Sequence, residues 1–416
     1  MRIGEKTLGK LYILTMTLTL FAYTLIKSFN VAIPWYYTYF HCTIWIFIYV
    51  LVLHQNNQNF KSMAVVKSRK IIMRVFSMPY LIFLFFTLLG WIIYINDISL
   101  HNLTRALSNN ILFFIYLGTV IATVSIFKEK LIDYTFISIS VSYILTIIAA
   151  IAHYGIGNFI EIGLKPFSEA AQTWVAGGNA ANVLETHDLT FAVGFYLIYF
   201  ISKHYKTKKD WGKIIWCMAL IYMGYKRIQL AAILIIIVAS IFITKRSKKG
   251  IAYWSVLCTV GVLVVMYAYI AFIDSGYLQI LAARYNINFM GRLESYNRMS
   301  QFFDFSPLYI GRGNGAGKLL KPASGVNLGH SDILYNFIDY GFIGFTAWII
   351  YCFYFATRYI RIHSNPNISR LWLLLTIYAF ITYLTDNTQN YFAFQTCYMI
   401  TMFHALYTDQ CTIQNK

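Results

Sequence analysis

The chain is a series of apolar runs broken by short polar stretches, with runs at residues 11–26, 31–53, 75–95, 109–127, 131–152, 188–202, 214–225, 229–244, 251–273, 332–356, 371–385 and 391–407. Most approach the ~20 residues that a helix needs to cross a hydrocarbon core about 30 Å thick. The pattern predicts an all-α polytopic membrane protein with about 12 transmembrane helices, forming a single integral membrane domain over residues 1–416. Polar Lys27 and Ser28 follow the first run with no small-residue cleavage pattern, so that run is expected to remain as the first span. The run at 214–225 stands apart, because at 1.5 Å per residue it rises only about 18 Å.

Charge sets the orientation. Lys61, Lys67, Arg69, Lys70 and Arg74 follow the second run, Lys203, Lys206, Lys208, Lys209 and Lys213 the sixth, and Lys245, Arg246, Lys248 and Lys249 the eighth. Short loops rich in Lys and Arg stay inside, which puts both termini in the cytoplasm. The same asymmetry accounts for most of the formal net charge of +18, so no nucleic-acid partner is needed to explain it. Composition agrees with the pattern: 58% of residues are hydrophobic, 12% are charged, and mean hydropathy is +0.57. Cys42, Cys217, Cys258, Cys352 and Cys397 fall within spans and Cys411 in the cytoplasmic tail, which leaves no thiol for an outer disulfide or a thiolate metal site.

Three outer segments are long enough to build something: 96–108, whose Asp97, His101 and Arg105 read as ordinary solvated loop, and the longer 153–187 and 274–331; the remaining cations concentrate between 226 and 321. In the 153–187 loop, Glu185, His187 and Asp188 stand at the mouth of a span, where they either cap the helix or meet sugar hydroxyls or assist proton transfer. In the 274–331 loop, Arg292 and Arg298 lie six residues apart and so face differently on one helix, whereas Tyr296 and Met299 lie at helical spacings from Arg292. Gly311, Arg312, Gly313 and Gly315 form a glycine-rich run that superficially resembles a phosphate cradle, but no strand precedes it and no Lys-Ser/Thr follows, which favours a mobile turn. Lys226 and Arg227 cap the short run at 214–225, a depth where a cation either meets a polar cavity or an anion or snorkels toward lipid phosphates.

The candidate centre is the stretch 329–344, where a polar loop carrying His330 enters a span. A helix from His330 onward would bring Gly341 three turns below it on one face, with Gly344 nearby, giving a glycine-lined groove for close helix approach. Asp332, Asn336 and Asp339 would form a second stripe of cavity or acceptor residues, with Lys226 and Arg227 as candidate partners. No Asp-x-Asp pair, His-x3-His pair or outer cysteine supplies a metal cluster, so chemistry without a metal or cofactor is expected.

Together, His330-Ser331 through Gly341 and Gly344, the Arg227 element GYKRIQLAAIL, and Arg292 ahead of Ser306-Pro307 resemble the O-antigen polymerase and ligase superfamily of bacterial surface polysaccharide assembly. The chain departs from that pattern at Ser331, where the family often has Asn, and at Tyr340, with Asp339 one place before the usual acid. The resemblance implies a membrane glycosyltransferase architecture (GT-C-like) in the bacterial inner membrane with a periplasmic site. The donor would be an oligosaccharide on undecaprenyl diphosphate and the acceptor a sugar hydroxyl. By the same resemblance, Arg227 and Arg292, aided by Lys226, Arg298 and Arg312, would hold the diphosphate, while His330 would position or deprotonate the acceptor. A chain-length regulator protein would be a partner. A Wzy-type polymerase is the leading expectation, with a ligase that transfers glycan to lipid A core as the alternative. A transporter of a lipid-linked or anionic substrate is the alternative from another class.

Overall fold

The computed structural model describes residues 4–28, 37–55, 62–93, 100–157, 160, 187–203, 206–224, 226–243, 247–285, 292–315 and 331–414. Among them there are helices and no strand, as expected where backbone groups facing lipid must be satisfied within their own segment. In chain order the first helices are α1 (Glu5–Ser28), α2 (Tyr37–Gln55), α3 (Met63–Ile93), α4 (Leu100–Phe127), α5 (Leu131–Tyr154) and α6 (His187–Ser202). They are followed by α7 (Lys208–Met223), α8 (Arg227–Phe242), α9 (Lys248–Asp274), α10 (Tyr277–Arg284), α11 (Arg292–Ser300) and α12 (Asp332–Ile350). The chain ends with α13 (Ala356–His363), α14 (Pro366–Thr385) and α15 (Phe392–Gln414).

A helix occupies each of the apolar runs. Among the described residues five stretches are long and apolar enough to cross a membrane: Met63–Ile93, Asn110–Ala149, Lys248–Asp274, Asp332–His363 and Pro366–Thr385. Thr38–Leu53, Leu189–Ser202 and Arg227–Phe242 are shorter apolar helices. The Asn110–Ala149 stretch is broken by a 3-10 turn at Lys128–Lys130, in which Lys128 takes φ 51. The run at 214–225 belongs to a longer helix than expected. A capping box between Thr207 and Asp210 starts α7 at Lys208, so it rises about 24 Å rather than 18 Å.

The chain divides into two compact units, residues 1–72, 116–240 and 390–416 in one and 73–115 and 241–389 in the other. In the first, α1 lies along α5, with the Tyr12 hydroxyl 3.0 Å from Thr135 Oγ1 and Gly9 against the Tyr134 ring. Close approach through small and hydroxylic residues is how helices pack where lipid offers no hydrophobic drive. In the same unit α6 packs between α7 and α15, where Phe195 stacks on Tyr398 at 4.7 Å and the Tyr199 hydroxyl lies 2.7 Å from His404 Nδ1.

In the second unit α9 packs on α11, α12, α13 and α14. After α12 the chain widens into a π turn, Tyr351–Phe355, and the Trp372 indole donates to the Cys352 carbonyl at 3.0 Å. The outer segment 274–331 folds in part as α10 and α11. On α11, Ser295, Tyr296 and Met299 are buried while Arg298 pairs with Glu294 on the outer side, as the helical spacing predicted.

Candidate functional site

Every residue from 331 to 341 is buried, although Asp332, Asn336 and Asp339 are polar. Each needs a partner, because an unpaired polar group away from water costs about 1–3 kcal/mol. Ser331 is the N-cap of α12. Its hydroxyl accepts from the Leu334 N–H and donates to the Tyr383 carbonyl, each at 3.4 Å. The helix therefore begins two residues after His330. Asp332 Oδ2 accepts from the Gln389 N–H at 2.7 Å, and the Asn336 amide donates to Gln389 Oε1 at 2.9 Å. The polar stripe thus meets the turn between α14 and α15.

Gly341 then breaks the helix, with φ 63 and ψ −173. The register that would carry one face from His330 through Gly341 to Gly344 ends there. Into the break comes the loop 309–315. Tyr309 O accepts from the Phe342 N–H at 3.1 Å, the Tyr309 hydroxyl donates to the Ile338 carbonyl at 2.9 Å, and the Gly313 N–H donates to the Asp339 carbonyl at 2.8 Å. The groups a broken helix orphans are thereby satisfied by the loop. A Cβ at Gly341 would lie 2.1 Å from Tyr309 O, and one at Gly311, where φ is 81, would lie 2.3 Å from Asp339 O. On α3, Gly90 abuts the Gly311 carbonyl, and Phe86 lies against Gly344. The glycine-lined groove is filled by protein rather than left open for a substrate.

The same loop overturns the expectation of a mobile turn for the glycine-rich run. It is built into the fold, and the Gly313, Asn314 and Gly315 amides donate to the protein itself, in keeping with the argument against a phosphate cradle. The Asn314 N–H donates to Thr87 Oγ1 at 3.1 Å and the Gly315 N–H to Asp339 Oδ2 at 2.7 Å. The anion in this nest is the protein's own carboxylate. Arg312, between them, is exposed, with its guanidinium carbon 5.9 Å from the Phe302 ring centroid.

Arg292 and Ser331 at the start of α12 both act on Tyr269. Tyr269 of α9 donates to the Leu384 carbonyl at 3.1 Å and interacts with both Tyr296 and Ser331, and Arg292 acts electrostatically on both tyrosines. Burial pushes the Tyr296 hydroxyl above the ordinary tyrosine range, while the Tyr269 hydrogen bond and Arg292 oppose that shift and Asp386 adds to it. Tyr296 is thus a neutral hydrogen-bonding group near pH 7 and not a base.

Of the predicted site residues, the structure brings Arg292, Asp332, Asp339 and Arg312 into the second unit, where Arg298 is occupied by Glu294. Lys226 and Arg227 belong to the first unit, Arg227 exposed at the start of α8. The partners seen for Asp332 and Asp339 are the Gln389 and Gly315 amides. His330, Glu185 and the side chains of His187 and Asp188 lie outside the described residues. Sequence reasoning missed Tyr269, Tyr309, Tyr383 and Gln389. Only Gln389 left a signal, as part of a polar gap, TDNTQN, between the last two apolar runs.

No protein-family model matches the chain, and no curated protein matches its sequence.

Proposed function

We infer that the protein is a lipid-linked polysaccharide polymerase of the bacterial inner membrane, with twelve spans, cytoplasmic termini and a periplasmic site. It joins oligosaccharide repeat units carried on undecaprenyl diphosphate. The observation that carries this reading is the meeting of two distant motif elements: the arginine element at Arg292 and the His-Ser element at Ser331 are linked through Tyr269 and Tyr296. Arg292 supplies a permanent charge and a forked donor suited to phosphate oxygens. His330, one residue before the anchored Ser331, supplies a group that can take a proton near neutral pH. The new glycosidic bond forms as the acceptor hydroxyl attacks the sugar carbon, its proton goes to His330, and undecaprenyl diphosphate leaves.

Deletion of the protein is expected to leave single repeat units on undecaprenyl diphosphate at the periplasmic face and on the core, with no long chains, as read by glycan profiling and lipid extraction. Loss of all capped core would instead indicate the ligase. A second reading is favoured by one feature, since helices broken within the membrane over buried acids also occur in transporters. In that case the lipid-linked units would build up on the cytoplasmic face.

Arg292→Lys and Arg227→Lys keep charge but lose the bidentate fork, so each is expected to reduce chain formation about tenfold or more, with Ala worse. In vitro polymerisation of purified lipid-linked units measures this, and wild-type rates in both Lys variants would make these arginines generic surface charge.

A further inference from the structure

We propose that Asp339 is a positioning residue that holds the 309–315 loop so that Arg312 faces outward as a ligand for the phosphate oxygens of the lipid-linked donor. The identity of that donor rests on the function inferred above; the positioning itself rests on geometry.

Asp339 grips the loop twice. Its carbonyl takes the Gly313 N–H at 2.8 Å, and its carboxylate takes the Gly315 N–H at 2.7 Å. The residues on either side of Arg312 are pressed against the protein. A Cβ on Gly311 would strike the Asp339 backbone, and one on Gly313 would lie 2.9 Å from Trp91 Nε1. Gly311, Gly313 and Gly315 are buried whereas Arg312 between them is exposed, so the grip fixes which way the one charged side chain of the loop points. Among the described residues Arg312 has no ion pair and only the Phe302 ring beneath it. Glu294 occupies Arg298, its neighbour in the outer segment, so the two arginines are not equivalent. A forked cation carried on a fixed loop and, among the described residues, without a carboxylate partner suits a phosphate ligand, because preorganisation spares the entropy of ordering the loop. A role in holding the loop also gives a reason for an otherwise costly buried acid in the middle of α12.

The test is a double-substitution cycle read by binding of undecaprenyl diphosphate to the purified full-length protein, measured by native mass spectrometry, alongside polymerisation kinetics. Arg312→Ala and Asp339→Ala are each expected to weaken binding about tenfold, as loss of a charge-assisted contact implies, and the double variant no more than either alone. Asp339→Asn keeps an acceptor for the Gly315 amide and is expected to stay within about threefold of wild type. KM should rise more than kcat falls. Multiplicative effects, or an Arg312→Ala variant that binds as wild type does, would overturn the proposal. Asp339→Ala that lowers Tm without touching binding would do the same. If wild type binds the lipid and the cycle is coupled but no polymerisation occurs, the inferred function falls and the positioning role stands; if wild type binds no undecaprenyl diphosphate, both fall.

Discussion

Gly341→Ala is expected to destabilise the protein by about 3–5 kcal/mol, a large share of the ~5–15 kcal/mol by which folded proteins exceed their unfolded state. Two causes add. At φ 63 and ψ −173 the residue occupies a region essentially reserved for glycine, at a cost on the order of 1–3 kcal/mol for any side chain. The new Cβ would also lie 2.1 Å from the Tyr309 carbonyl oxygen, a backbone atom that accepts from Phe342 and cannot swing aside. Gly311→Ala should behave similarly against the Asp339 carbonyl. Gly261→Ala, in α9 with nothing within 4 Å of the added carbon, is the control and should be neutral or slightly stabilising. Thermal unfolding of the solubilised protein compares them. A Gly341→Ala variant with wild-type Tm and yield would mean that the loop does not enter the helix.

His330→Ala is expected to leave expression, membrane insertion and Tm unchanged while reducing chain formation by about 10²–10⁴-fold, the range typical of a lost general base. The structural part of this expectation follows from its neighbour. Ser331 caps α12 and bonds the Tyr383 carbonyl, and Asp332 is held by Gln389, so the helix start is secured by residues other than His330. Chain length is read on gels of extracted polysaccharide, and near-normal length in His330→Ala would remove the proposed chemistry at one stroke. Gly341→Ala and His330→Ala thus separate folding from catalysis within a single stretch of chain.

The long helices were legible in the sequence because burial in lipid leaves long apolar runs, and each of the twelve runs falls on a helix with boundaries shifted at the polar ends, whereas the short helices α10, α11 and α13 answer to no run. The shift at α7 has a local cause: the Thr207–Asp210 box adds a turn of Lys and Asp that hydropathy does not count. The arginine helix α11 was legible too, since Tyr296 and Met299 keep helical spacing on its buried side. The break at Gly341 was not. Nothing in IDYGFIG distinguishes a glycine that lets helices touch from one that ends helical geometry. The difference lies in Tyr309 and Thr87, far away in sequence, whose oxygens complete the broken backbone's partners and those of the inserted loop. For the same reason Asp332, Asn336 and Asp339 read as an open polar stripe, whereas their partners are main-chain and side-chain groups supplied by two separate turns.

The timing of synthesis gives the broken helix a further consequence. Its halves, 332–340 and 342–350, each rise only about 14 Å, so neither crosses a bilayer by itself. Thr87 and the 309–315 loop precede α12 on the nascent chain, so the clasp at Gly341 can close as soon as Phe342 leaves the ribosome. The Gln389 amide that donates to Asp332 comes later, because Gln389 lies 57 residues downstream. At about 5–20 residues per second that is an interval of roughly 3–11 s before the Gln389 amide can reach the head of the span. The two ends of the first half of α12 are therefore completed at different times, the break by chain already made and the start by chain still to come.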